Sequence, residues 1–165
     1  LQKTLHIDAP LEEVYAFFEA PETWPSFMDH IEEIRRTGPN RWHWKVAGPG
    51  RVPFAWDAES CAVPNEQMSW QSLEGSIVQN AGVAHFEREG SGTRVHIQMT
   101  YNPPAGILGH NVAKALGVDP KKQMDEDLQR LKSLLEQGKA TAHGHTVRRE
   151  DIAVPSRGFS PSLPS

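Results

Sequence analysis

Between Ile31 and Pro103 the chain alternates apolar and polar residues with a period of two, in run after run broken only by short turns. That period marks half-buried strands, because successive side chains point to opposite faces. The runs fall at 31–37, 41–47, 52–63, 66–73, 78–88 and 93–102. Between them stand the turn residues Gly38-Pro39-Asn40, Gly48-Pro49-Gly50, Pro64-Asn65, Glu74-Gly75 and Gly90-Ser91-Gly92. Connections this short leave no room for crossover helices, so neighbouring strands must pair antiparallel as a meander. A weaker alternation over 2–8, with Leu5 and Ile7 on one side, predicts a seventh strand.

Helical signals flank this block. Asp8-Ala9-Pro10 opens the first helix, with Asp8 or Ala9 as cap and Pro10 in the first turn. Val14, Phe17 and Phe18 follow at helical spacing. Pro21 and Pro25 limit 21–28 to a short second helix. Beyond Pro103-Pro104-Ala105-Gly106, the residues Ile107, Leu108, Val112, Ala115 and Leu116 form a further helical apolar set, which Gly117 interrupts. Asp119-Pro120 restarts the helix, and Met124, Leu128, Leu131 and Leu135 give it an apolar stripe. At ~1.5 Å per residue, 121–137 extends roughly 25 Å, enough to lie across a curved sheet. From 139 onward the periodicity lapses and a Pro/Ser-rich run begins at Pro155. The sequence therefore reads as one domain over 1–138 and a flexible polar tail over 139–165.

Composition narrows the functional classes. Seventeen basic against twenty-one acidic residues give a net charge of −4, which argues against a nucleic-acid partner. The single Cys61 excludes an internal disulfide framework and a multi-cysteine zinc site. No apolar run reaches the ~20 residues of a membrane span, and the first residues lack a signal-peptide layout. A cytoplasmic, soluble protein is the expectation.

Strand parity assigns the covered face of the sheet. Trp42, Trp44 and Val46 share one side of their strand; Phe54, Trp56, Ala58 and Ser60 share one side of the next. Met68, Trp70 and Ser72 follow, then Gly82, Ala84 and Phe86, then Val95, Ile97, Met99 and Tyr101. The opposite face carries His43, His85, His96, Asp57 and Glu59. The covered face is thus aromatic, and small residues among the large ones leave room for a cavity.

Strand, two helices, six antiparallel strands and a long final helix is the order of the helix-grip fold, and the chain resembles the SRPBCC superfamily, which includes START domains and polyketide cyclase/dehydrases. The resemblance is carried by Phe54-Ala55-Trp56-Asp57-Ala58-Glu59, Met68-Ser69-Trp70-Gln71-Ser72-Leu73-Glu74-Gly75, Gly82-Val83-Ala84-His85-Phe86, Tyr101-Asn102-Pro103-Pro104-Ala105-Gly106 and Glu126-Asp127-Leu128-Gln129-Arg130-Leu131-Lys132. Within the superfamily it is most similar to the bacterial cyclase/dehydrase-type group. The resemblance implies an α+β fold: a seven-stranded curved antiparallel sheet, two short helices after the first strand and a long C-terminal helix. It also implies a pocket between sheet and helix for a lipid, polyketide or quinone-like molecule.

Combined with the parity, this points to Trp44, Trp56, Trp70, Phe86, Met99 and Tyr101 on the sheet side of that pocket. Leu116, Met124 and Leu128 would line the helix side, with Phe27 and Met28 at the mouth. Tyr101 would orient the ligand by a hydrogen bond. The inward polar inventory is short (Tyr101, Ser72, Ser60 and Asn80), which suits carriage of an apolar molecule and suits acid/base chemistry poorly. Asp125, Glu126 and Asp127 read as a solvated face early in the long helix. His143-Gly144-His145 has metal-like spacing but no third ligand nearby. No catalytic residue, cofactor or metal is expected. The alternative is a cyclase/aromatase or dehydratase using Tyr101 with Asp29 and His30. A further possibility is a protein partner docked by the tail over 148–165.

Overall fold

A computed structural model describes residues 1–48, 52–102 and 120–152. Strand β1 (Gln2–Ile7) leads into helix α1 (Leu11–Phe18) and a 3-10 helix (Pro21–Ser26). Six strands follow: β2 (Ile31–Gly38), β3 (Arg41–Ala47), β4 (Pro53–Val63), β5 (Gln67–Ser72), β6 (Gln79–Glu89) and β7 (Gly92–Asn102). Helix α2 (Pro120–Gln137), a small hairpin of β8 (Lys139–Ala142) with β9 (His145–Arg148), and a single 3-10 turn (Arg149–Asp151) follow. The seven strands form one antiparallel sheet in the order β1-β7-β6-β5-β4-β3-β2. Each strand from β2 to β7 pairs with its sequence neighbour, as the short turns require, and β1 closes the order against β7.

The alternation reads through to burial. Trp42, Val46, Phe54, Trp56, Ala58, Met68, Ala84, Phe86, Val95 and Ile97 are buried on the covered face. On the other face His43 meets Asp57 across the strand pair at 2.9 Å, and His96 meets Thr4 at 2.5 Å. Among the described residues the core divides into two clusters. The larger joins β1, α1, Met68 of β5, β6, β7 and α2; the smaller gathers residues of β2, β3 and β4 with Val78. Trp24 and Met28 touch both.

Two details depart from the sequence expectations. Pro10 itself occupies the N-cap of α1, and no side chain caps that end. Its fixed φ and extended ψ place the chain to enter the helix, with Glu12 and Glu13 in the first turn. Residues 139–152 are not a free tail. The hairpin turns on His143 and Gly144, both at positive φ, with Ala142 paired to His145. Two such residues are what a two-residue primed turn needs, so His143-Gly144-His145 is turn chemistry rather than a metal motif. Among the described residues no cluster suited to a metal ion occurs. Ala140 and Ala142 bury one face of the hairpin. Arg149 pairs with Glu13 and sits over the Phe17 ring, which ties the segment to α1. The helical set Ile107–Leu116 and the rest of the tail lie outside the described residues.

Candidate functional site

The two core clusters do not meet everywhere. Between them lies a cavity of about 180 Å³. Its sheet wall is built by period-two strands that project aromatic rings on one face. Trp44 and Trp56, opposite each other on β3 and β4, stack with centroids 5.7 Å apart and planes 14° apart. Trp24 of the 3-10 helix meets Trp44 edge-on, and Tyr101 of β7 meets Trp56 edge-on. Trp70 enters the wall because Gly82 opposes it on β6. A Cβ at Gly82 would lie 2.4 Å from the Trp70 ring, so glycine is what lets the indole lie flat there. The helix wall consists of Gln123, Met124, Asp127, Leu128 and Leu131 from one face of α2.

Of the residues expected at the pocket, Met28, Trp44, Trp56, Trp70, Met99, Tyr101, Met124 and Leu128 line this cavity. Two expectations are corrected. Phe27 is completely buried against Phe17 and takes no part in a mouth. The 3-10 helix turns its ring into the main core, while Met28 faces the cavity. Phe86 points inward as parity required, but Tyr15 and Phe18 of α1 cover it with edge-on rings at 5.3 and 5.0 Å. Parity fixes the face of the sheet and not which part of that face a helix occupies. Leu116 lies outside the described residues.

The polar inventory is also corrected. Ser60 and Ser72 do not line the cavity; Asn80 and Tyr101 do, and His30, Gln123 and Asp127 join them. Asp127 is not on a solvated face: it is only 5% exposed. The spacing of α2 contains the reason. The buried positions are Met124, Leu128, Leu131, Leu134 and Leu135, and Asp127 stands three residues after Met124 on the same stripe. One of its oxygens lies 3.4 Å from His30 Nδ1 and the other accepts from Arg130 at 3.1 Å. Burial pushes the Asp127 carboxyl up to about 7, with Arg130 pulling the other way and Asp29 and Glu126 adding to the rise. Burial, aided by the Arg130 charge, holds His30 below its ordinary value, against the pull of Asp29. Burial likewise raises Tyr101.

Arg130 joins this end of the cavity to two other segments. It donates to Asp29 at 2.8 Å, to Asp127, and through Nε to the Thr141 carbonyl at 3.0 Å. Asp29 also accepts the His143 N–H at 2.7 Å, and the His143 ring contacts the Pro25 carbonyl at 2.6 Å. The β8–β9 turn therefore holds the stretch that carries Met28 and His30 against α2. Asp29 itself points into this tie and does not line the cavity.

A sheet of seven antiparallel strands gripped around a long final helix, with an aromatic cavity between the two, defines a START-like helix-grip protein. The chain belongs to the family described as polyketide cyclase / dehydrase and lipid transport, whose model matches residues 1–136. An uncharacterised 17.2 kDa protein of Streptomyces lincolnensis is 30% identical over 139 residues, covering 83% of this chain and 89% of that one. A crystal structure of a Deinococcus radiodurans protein superposes with a TM-score of 0.67 at 27% identity, covering 83% of this chain and 96% of its own. A START superfamily protein of Mycobacterium smegmatis gives a TM-score of 0.62 at 15% identity, covering 83% and 97%. The last likeness is one of fold. No helix among the described residues is long and apolar enough to cross a membrane.

Proposed function

We propose that this protein binds a small hydrophobic molecule, of the lipid, polyketide or quinone kind, in the cavity between sheet and α2 without transforming it. One observation carries the reading: the space between the two core clusters is walled mainly by aromatic and aliphatic side chains, with a few polar groups among them. A hollow of that character holds water poorly and gains free energy when an apolar body fills it. The family's description, which names lipid transport beside cyclase and dehydrase, is consistent with it. The test is titration with a size-graded panel of neutral aromatics and fatty alcohols, followed by tryptophan fluorescence, with native mass spectrometry of whatever co-purifies. Saturable quenching is expected, because Trp24, Trp44, Trp56 and Trp70 all face the cavity. A flat response to the whole panel, with nothing co-purifying, overturns the reading.

A second reading, an enzyme of the cyclase/aromatase or dehydratase kind, is favoured by one arrangement. His30 and Asp127 stand side by side in the cavity wall, with a carboxyl that titrates near neutrality. Acid/base work needs such a pair within reach of a bound substrate. Here Asp127 takes the place that the sequence assigned to Asp29. Turnover of a polyketide-like substrate that disappears in both Asp127→Asn and His30→Gln would select this reading over carriage.

A further inference from the structure

The geometry points to a neutral ligand that carries a hydroxyl group, not a carboxylate, and that sets this hydroxyl at the His30–Asp127 end of the cavity. The inference rests on the binding reading above and adds the ligand's polar chemistry and its orientation.

Charge is the first argument. Among the described residues lining the cavity there is no lysine and no arginine. Arg130, whose guanidinium binds the lining residue Asp127, is not itself a lining residue. Its nitrogens are committed to Asp127, Asp29 and the Thr141 carbonyl. Around that single cation stand two acidic side chains, with the His30 ring alongside. A carboxylate ligand would be a third acid competing for one arginine that is already satisfied. It would also have to leave water for a largely apolar hollow, which a charge does only with a partner.

Hydrogen-bonding capacity is the second. His30 Nδ1 and the facing Asp127 oxygen are 3.4 Å apart, longer than the ~2.7–2.9 Å of a charge-assisted bond. The other Asp127 oxygen is held by Arg130, so the one facing His30 keeps capacity for a further bond. A hydroxyl both donates and accepts. It can donate to the Asp127 carboxylate, or accept from the carboxylic acid when that group holds its proton. A carboxylate can only accept, and it meets a matching donor in one of those two states. The aromatic wall of Trp44, Trp56 and Tyr101 then receives the ligand's apolar body.

Three probes of one shape separate these terms: naphthalene, 2-naphthol and 2-naphthoate. Their affinities for the full chain would be measured by calorimetry at about pH 7.5, where the acid is ionised and the phenol is not. The expected result is 2-naphthol binding about tenfold or more tightly than 2-naphthoate, and more tightly than naphthalene, as a site built to bond a hydroxyl requires. In Asp127→Asn the preference for 2-naphthol over 2-naphthoate should shrink to about threefold or less, since the amide no longer repels an anion. His30→Gln gives an independent second reading should the first variant fold poorly. Equal or tighter binding of 2-naphthoate, or no gain of 2-naphthol over naphthalene, overturns the inference and leaves the binding reading standing. No binding of any of the three, naphthalene included, removes the binding reading itself and this inference with it.

Discussion

The strands beneath the two halves of the core carry the same alternating code, and the halves end up physically different. In the larger cluster, β1, β6 and β7 lie under α1 and α2, and Ile7, Val14, Tyr15, Phe17, Leu134 and Val95 lose essentially all contact with solvent. In the smaller cluster, on β2 to β4, the same inward parity places Trp44 and Trp56 at the edge of a hollow. Inward-facing aromatics are thus solid core where two helices press on them and cavity wall where they do not. What decides between packing and binding is the opposing surface.

That contrast is tested most severely by truncating one residue in each half. Leu134 is fully buried between helix and sheet, so Leu134→Ala should cost about 2–5 kcal/mol, the loss of a buried aliphatic plus the void it leaves. Trp44 borders a space that already exists, so Trp44→Ala enlarges a hollow instead of opening one. It should cost clearly less despite removing a larger side chain, while weakening ligand affinity most. Urea unfolding of both variants measures the difference. Equal losses would mean that the two halves are packed alike.

Next in size is the tie at the polar end. Removing one member of a buried pair strands the other, typically at ~3–5 kcal/mol. Arg130 is about one fifth exposed and Asp127 can accept a proton, so Arg130→Ala belongs at or below the lower bound. The loss should be smaller when measured in an Asp127→Asn background, where the buried one of its two acidic partners is already gone. Additive losses would show that Arg130 acts through Asp29 and the Thr141 carbonyl and not through Asp127.

Much of the aromatic half is legible in the chain itself. Turn residues set the strand limits, and parity puts Trp44, Trp56, Trp70, Met99 and Tyr101 inward. The polar half is not legible in the same way. His30 follows a 3-10 helix and Asp127 lies on α2, ninety-seven positions later in the numbering, and no periodicity reports that the two meet. One signal did exist: Asp127 falls on the apolar stripe of its own helix, where a solvated acid does not belong. Phe86 shows the opposite limit. Its inward direction is set by its strand, but its exclusion from the cavity depends on Tyr15 and Phe18 of another element. The hairpin at 139–148 was hidden by short strands of mixed character, although its His-Gly turn stood in the open.

The polar side is sharpened further by its pH dependence. Asp127 holds its proton in the folded protein up to about pH 7, whereas an unfolded aspartate releases it near 3.9. Between those values the folded state binds more protons. Stability from this group is therefore complete at low pH, falls as pH rises from about 4 to about 7, and is level beyond. His30 works the other way: its lowered value means that its contribution is lost as pH drops below its unfolded value of about 6.5. Thermal melts at stepped pH should show the stability of the native protein, relative to Asp127→Asn, declining across that window. A constant difference would place Asp127 in water, like an ordinary surface acid.

The smallest expected change in stability tests the aromatic side by filling it from behind. At Gly82 a methyl group would meet Trp70 at 2.4 Å and the Gln98 carbonyl at 3.0 Å. In a solid core such an insertion costs about 1–3 kcal/mol, because neighbours have nowhere to go. Here the obstructing group is a ring that borders open space. Gly82→Ala should therefore sit at the lower end, about 1 kcal/mol, as the indole shifts into the cavity. The strain then appears elsewhere, as a change in tryptophan emission and a fall in affinity for an aromatic probe larger than the fall in stability implies. A comparable insertion in the closed half, such as Val95→Leu, has no void to move into and should show the reverse, a full stability loss with affinity little changed. If both variants lose stability alike, the hollow does not yield, and the distinction between the two halves reduces to the chemistry of their linings.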